Sequence, residues 1–474
     1  MKKLKIKYSI VFLMFLGITL SACNDQLDIN PDTVLLPSEA ITSEADLQEL
    51  LVSCYDALAN QYDGNIQIYN DLLSDDLAKP FIDGAGYRNE VWDRNTNIFN
   101  SDVGNLWREL YLPIMRVNAI EDNFDRLGIS ESTRLRMRAE GKFIRALCHF
   151  ELVRLWAQPY GYTPDNSHLG IVIRDKTDYQ PKARSTVAEC YNFIIDDLNY
   201  AIANLPATNT YFADKDAARA LLAMVYFQMN RHSDALPLLN TVINSPRFTL
   251  SDSIDRYYPN PTSSFVVNPE VVFGFVTVGS NDNRADDLVG SYRNDQGTPS
   301  LGIRKEVYDL ITSDTTDIRA KLVGVVNAGQ ANEFYVCNKF NNEYFASPCI
   351  TLTQLLLTRA EAAAETNDLT TASDDINKII ARAYPGNANK LTTPALGAAS
   401  LLTVIREERR KELFCEGDRT QSLKRIGAYG LSSQLPVSNL TIRNAPWNCP
   451  GMALQFPAVE RSTLFIMNET GGCN

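Results

Sequence analysis

The chain has 474 residues, 57 acidic and 45 basic, and its formal charge of −12 at pH 7 repels phosphate backbones and argues against nucleic acid as a partner. With 45% hydrophobic residues, a chain of this length can bury a large core without metal or disulfide staples. Its histidines are His149, His168 and His232 and it has no C-x-x-C, so neither a zinc centre nor a histidine-rich catalytic centre is indicated.

Lys2, Lys3, Lys5 and Lys7 precede the apolar run Ile10 to Leu20, which ends in Ser21-Ala22-Cys23. The run is shorter than the ~20 apolar residues a spanning helix needs, and small residues follow it, the order of an export signal. Leu20-Ser21-Ala22-Cys23 resembles the bacterial lipobox, which implies removal of residues 1–22 and a covalent lipid on Cys23. Each buried lipid methylene is worth ~0.8 kcal/mol, so a multiply acylated Cys23 would hold the chain on a membrane. Residues 23–40, opening Asn24-Asp25-Gln26-Leu27-Asp28, read as a solvated tether before a domain at 41–474.

Helical periodicity then dominates. The spacing predicts helices over 43–60, 103–126, 130–156, 186–204, 214–230, 233–243, 350–366, 372–383 and 401–413. The fold class is mostly α. Leu222, Ala223, Tyr226, Ala235, Leu239 and Val242 follow the large-small-large spacing of a tetratricopeptide helix pair, and Ala360, Ala363, Ala372, Ile376 and Ile379 repeat it. An interrupted third pair joins 142–156 to 186–204. The expectation is a tetratricopeptide-like helical-repeat scaffold with long irregular loops over 61–100 and 246–349, minor β at 271–276 and 334–336, an N-terminal part of about 41–245 and a C-terminal part of about 350–474. Of the cysteines outside helices, Cys337, Cys349, Cys449 and Cys473 suit pairing as 337 with 349 and 449 with 473, though spacing leaves the connectivity open.

The motifs come in a recognisable order. Trp107, Tyr111 and Asn118 come first, then Arg145-Ala146-Leu147-Cys148-His149-Phe150-Glu151-Leu152 with Pro159-Tyr160-Gly161, and Arg359 to Glu365. The run Ile405 to Arg419, I-R-E-E-R-R-K-E-L-F-C-E-G-D-R, and Phe456-Pro457 complete the set. Together they resemble the RagB/SusD family of Bacteroidetes surface lipoproteins, although Thr420-Gln421-Ser422-Leu423 stands where the family usually has W-F-D-L. The resemblance implies a lipid-anchored, surface-exposed outer-membrane protein that captures a nutrient, most often an oligosaccharide, and passes it to a SusC-like TonB-dependent transporter. It implies no catalysis and no cofactor beyond the lipid on Cys23. The charged run 406–412 reads as a structural helix whose ions pair with neighbouring helices.

Glycan capture requires flat aromatic faces and polar groups for hydroxyls. Three loop clusters supply them: Arg88, Trp92 and Asn95, with Trp92 foremost; Tyr292, Arg293 and Asn294; and Phe340 with Tyr344. Two other classes stay open. A secreted glycan-degrading enzyme would use carboxylate pairs such as Asp75-Asp76 or Asp286-Asp287, and a helical-repeat module would bind protein or peptide. No metal site is expected. A palmitate analogue fed to cells should label the wild-type protein and not Cys23→Ala, and labelling of the variant would remove the lipoprotein reading.

Overall fold

The computed structural model describes residues 41–178, 180–209, 211–252, 254, 268–277, 283–430 and 440–473. The signal segment 1–22, Cys23 and the tether 23–40 lie outside the described residues. Residues up to Leu47 form a unit of their own, and its described part is a capped helix start: Asp46 Oδ2 accepts from the backbone N–H groups of Thr42 and Ser43 at 2.7 and 2.9 Å. The following statements concern the second unit, Gln48–Asn474, and the helix Glu44–Tyr62 (α1) from Gln48 onward.

The predicted helices form where capping chemistry starts and stops them. After α2 (Asn65–Leu73) and α3 (Tyr87–Trp92) comes α4 (Ser101–Leu127), capped by Asn100 and ended by Gly128 in the left-handed region. Ser130 caps α5 (Glu131–Trp156), a Thr186/Glu189 capping box opens α6 (Val187–Asn204), and Asp214 caps α7 (Lys215–Gln228) before α8 (His232–Ile243). Strand β1 (Val271–Phe275), α9 (Asp286–Tyr292), α10 (Lys305–Thr312), β2 (Val323–Val326), β3 (Phe334–Cys337) and β4 (Ser347–Thr351) follow. The chain then builds α11 (Leu352–Glu365), α12 (Leu369–Ala383), α13 (Ala398–Leu413), α14 (Arg419–Tyr429), β5 (Thr441–Ile442) and β6 (Ala445–Pro446).

Helices α5 with α6, α7 with α8, and α11 with α12 pack as the three expected pairs, α6 leans on α7, and α8 on α11, so the pairs stack into one scaffold. Ala223, Ala235, Leu239, Ala360, Ala363, Ala372 and Ile376 are buried at the seams, where small side chains let the helices approach and large ones fill the gap. The segments expected to be irregular hold more structure than periodicity showed. Nearly every residue of α2 is buried, its polar Gln67, Asn70 and Asp71 included, and with 9 residues it gives little more than two turns of pattern, while α3 and α9 are shorter still.

Strand β1 pairs antiparallel with β4, and β2 with β3. This decides the cysteines. Cys337 ends β3 and Cys349 lies in β4, in different sheets, and both are buried free thiols, so the 337–349 pairing that the sequence left open is not made. Cys449 and Cys473 do form a disulfide.

The charged run is buried in ion pairs. Arg319, 0% exposed, donates to Asp317 and Glu408 at 2.7 Å and to Glu412 at 3.0 Å. Arg382 bridges Glu412 at 2.7 Å and Glu270 at 2.8 Å, while Glu361 accepts from Arg406 and Arg425, each at 2.6 Å. Burying one such charge without its partner costs about 3–5 kcal/mol, so Arg319→Ala, which leaves buried Asp317 without its cation while Glu412 keeps Arg382 and Glu408 keeps Lys411, should lower the denaturation free energy by about that much in a urea titration.

Candidate functional site

The run that holds the core also places a surface. Arg410 Nε donates to Asp76 Oδ1 at 2.8 Å and Arg419 Nε to Asp75 Oδ1 at 2.7 Å. Burial pushes Asp75 up, but Arg419 and Arg410 outweigh it and hold its carboxyl at about 2, whereas burial pushes fully enclosed Asp76 up. With residues 75–76 pinned, the chain runs beside 300–304. Arg304 N–H donates to Asp76 O at 2.8 Å, Ala78 N–H to Gly302 O at 3.0 Å and Phe81 N–H to Ser300 O at 2.9 Å. Ile303 N–H donates to Tyr335 O at 3.0 Å, joining both segments to β3.

The resulting face carries rings. Phe81 lies over Gly302, where an added Cβ would meet its ring at 2.6 Å and Tyr335 O at 2.7 Å, so only glycine lets the ring settle there. Phe81 is 39% exposed, its neighbour Ile82 57%, and the Phe81 and Phe334 ring centroids are 4.7 Å apart. Arg88 reaches the same edge, donating from Nη1 to Ser300 Oγ at 3.1 Å.

Trp92 is half-buried on this side, but its ring is not open. The Arg443 guanidinium lies 4.1 Å from the ring centroid and the Lys79 ammonium 5.5 Å, and Nε1–H donates to Leu77 O at 3.0 Å. Asn95 is exposed at the other end of that loop, beside Gly471. The second and third sequence clusters meet each other: Asn294 N–H donates to Asn341 Oδ1 at 2.9 Å and Asn294 Nδ2 to Cys337 O at 2.9 Å. Tyr292 and Phe340 are a correction, because both are 0% exposed, their centroids 5.2 Å apart, and they fill the core beneath these loops. Arg293, paired to Asp295 at 2.7 Å, and half-buried Tyr344 remain at the surface. Phe81, Phe334 and Arg443 escaped the sequence reading, since an exposed ring in a loop looks like any other until the opposing strand is known.

Beneath the surface, Tyr62, Gln67, Glu151, Arg154, Gln354 and Glu416 line a cavity of about 70 Å³. Ligand pockets hold roughly 300–1,000 Å³, so this space suits a few waters and not a sugar. Gln67 Oε1, Glu151 Oε2 and Arg154 Nε, unpartnered among the described residues, would bind them.

Two family models match the chain, one described as starch-binding and associating with the outer membrane over residues 25–227, the other as the SusD family over 322–461. The chain belongs to the SusD/RagB family. A SusD-like protein of Formosa agariphila is 27% identical over 53% of this chain and 49% of its own length, and the chain spans about half the length of the curated relatives it matches. A SusD superfamily crystal structure from Bacteroides thetaiotaomicron has 21% identity and a TM-score of 0.75, covering 90% of this chain and 100% of that one. Surface glycan-binding protein A from the same species, in complex with laminarihexaose, has 17% identity and a TM-score of 0.70 over 90% of this chain and 100% of that one. These likenesses show a shared fold.

The motifs that resemble the SusD family are scaffold in this chain. Trp107 packs on Tyr111, Trp156 and Phe456 at 4.7, 5.2 and 5.0 Å between centroids, and its Nε1–H donates to Glu460 at 2.9 Å. Arg145 joins Asn118 at 2.7 Å to Asp197 at 2.7 Å. Gly417, at φ 80°, brings its N–H to Asp71 at 3.1 Å, and a Cβ there would strike Gln67 Cα at 2.9 Å. Neither carboxylate pair of the enzyme reading stands open across a cleft: Asp75 and Asp76 are held by arginines, and Asp287 hydrogen-bonds Asp63.

Burial and then the Asp287 charge push the Asp63 carboxyl up to about 8, so the folded state keeps a proton there that the unfolded chain releases near 4. Its contribution to stability is therefore complete at acid pH and lost as pH rises through 8. Asp63→Asn should raise the melting temperature at pH 9 relative to wild type and leave it nearly unchanged at pH 4, as measured by calorimetry.

Proposed function

We propose that this chain is a cell-surface nutrient-binding lipoprotein, anchored in the outer membrane by lipid on Cys23, that binds an oligosaccharide and delivers it to a SusC-like TonB-dependent transporter. The observation that carries the binding reading is the face where Phe81, Phe334 and Trp92 adjoin Lys79, Arg88, Arg443 and Ser300. A sugar offers an apolar ring face and a rim of hydroxyls, and the exposed Phe81 ring beside forked donors matches both. The neighbour crystallised with laminarihexaose supports the same class of ligand on the same fold. The protein acts by binding and not by catalysis, a reading supported by the Asp75-Asp76 pair being committed to arginines. It takes no cofactor apart from the lipid. Residues 23–40 would serve as a tether that keeps the helical body at high local concentration over its transporter.

Calorimetry on a chain starting at Asn24, against a panel of neutral and acidic oligosaccharides, tests the binding step. At least one glycan should bind, and Phe81→Ala should weaken it about three- to tenfold through the lost ring contact. Absence of binding across the panel, or release of shortened products, would remove the proposal.

A further inference from the structure

The corner around Trp92 holds two cations, Arg443 and Arg94, that make no ion pair among the described residues. Arg443 and Asn444 form the left-handed turn between β5 and β6, with φ of 48° and 67°, and this turn lays the Arg443 guanidinium on the Trp92 ring. Its Nη2 donates to Leu72 O at 3.0 Å, and its Nε has no acceptor among the described residues. Arg94, 3% exposed and also left-handed at φ 57°, sends Nη1 to Ile442 O at 2.6 Å in the same hairpin, and its Nε is likewise unpartnered among the described residues.

Carboxylates nearby are spoken for. Asp93 pairs with Lys79 at 2.7 Å, Asp75 with Arg419 at 2.7 Å, and the exposed Glu306 with Arg304 at 2.6 Å. Burial, and then the charges of Arg94 and Arg304, bring the Arg443 guanidinium down to about 9, outweighing the opposite pull of Asp93 and Asp75, which act on it without pairing in contact. A chain with a formal charge of −12 has carboxylates to spare, yet among the described residues none pairs in contact with Arg443 or Arg94.

We propose that this corner is an anion subsite, in which Arg443, backed by Arg94 and rimmed by Arg304 and Lys79, receives the carboxylate or sulfate of an acidic oligosaccharide whose sugar rings extend toward Phe81. The proposal rests on the glycan-binding reading and narrows it to a charge class. The Nε atoms are enclosed, and the Nη1–Nη2 edge of the Arg443 fork is the side that can give either anion two parallel hydrogen bonds. The general acidity of the protein does not oppose this, because charges beyond about 8 Å are screened at physiological salt while contact pairs are not.

The test uses the chain starting at Asn24 and calorimetry against an oligogalacturonate, its methyl ester, a sulfated galactan oligosaccharide and laminarihexaose. The acid or the sulfate ester should bind about tenfold or more tightly than the uncharged ligands, with the preference shrinking as salt is added. The two anionic arms tell carboxylate from sulfate. Arg443→Gln should bring the ratio of acid to ester affinity toward one, and so should Arg304→Gln, a surface change that leaves the hairpin intact. If neither the acid nor the sulfated oligosaccharide binds more tightly than the uncharged ligands, or if the preference for the better-bound anion is unmoved in both variants, the anion subsite is overturned and glycan binding is left standing. If no oligosaccharide binds, thermal shifts with free galacturonate and inorganic sulfate decide: a shift lost in Arg443→Gln supports the subsite while the glycan reading falls, and no shift overturns both.

Discussion

The guanidinium groups of residues 406–425 are sunk into the protein together with the acids that match them, and between them they end on several separate parts of the chain. Arg406 and Arg425 reach Glu361 on α11, Arg409 reaches Asp418, Arg410 and Arg419 reach the Asp75-Asp76 pair, and Arg319 comes from the other direction to Glu408 and Glu412. An ion removed from water loses several kcal/mol of hydration, so these charges tolerate burial only while every partner is present. That requirement is directional. It ties the helical pairs to the loops at particular residues, where apolar packing alone would accept sliding.

The surface follows from this lock. Asp75 and Asp76 are the first residues of the segment that pairs with 300–304, and the ladder continues to Tyr335 in β3. Rings at Phe81 and Phe334, more than 250 positions apart in the chain, meet only because that ladder is in register. The β5–β6 turn then brings Arg443 over Trp92 from the far end of the sequence. A rigid lattice of ions thus sets the geometry of a face whose own side chains are mostly at the surface.

Helix pairing was legible because it is periodic. Leu239 with Val242 and Ile376 with Ile379 repeat at intervals that only a helix turns to one side, and caps such as Ser130, Thr186 and Asp214 announce their starts locally. The structural role of the 406–412 run was legible too, since alternating charge at helical spacing finds partners on neighbouring helices. Short or fully enclosed elements were not: α2 spans 9 residues and buries its polar Gln67, Asn70 and Asp71, and α9 spans 7 residues. Tyr292 and Phe340 show the limit for the site, because a loop aromatic beside polar residues has the same local signature whether it points outward or plugs the core.

By itself, then, the amino-acid order determined what depends on neighbours a few positions away: the helices and their caps, the paired repeats, the charge balance and the ordered motifs of the SusD/RagB family. Tertiary structure alone decided which carboxylates are neutralised, which cysteines pair and which rings are displayed. Those outcomes depend on contacts between residues such as Arg410 and Asp76, or Arg443 and Trp92, separated by hundreds of positions. Burial of a charge or a ring is a property of the finished packing, and no local spacing encodes it.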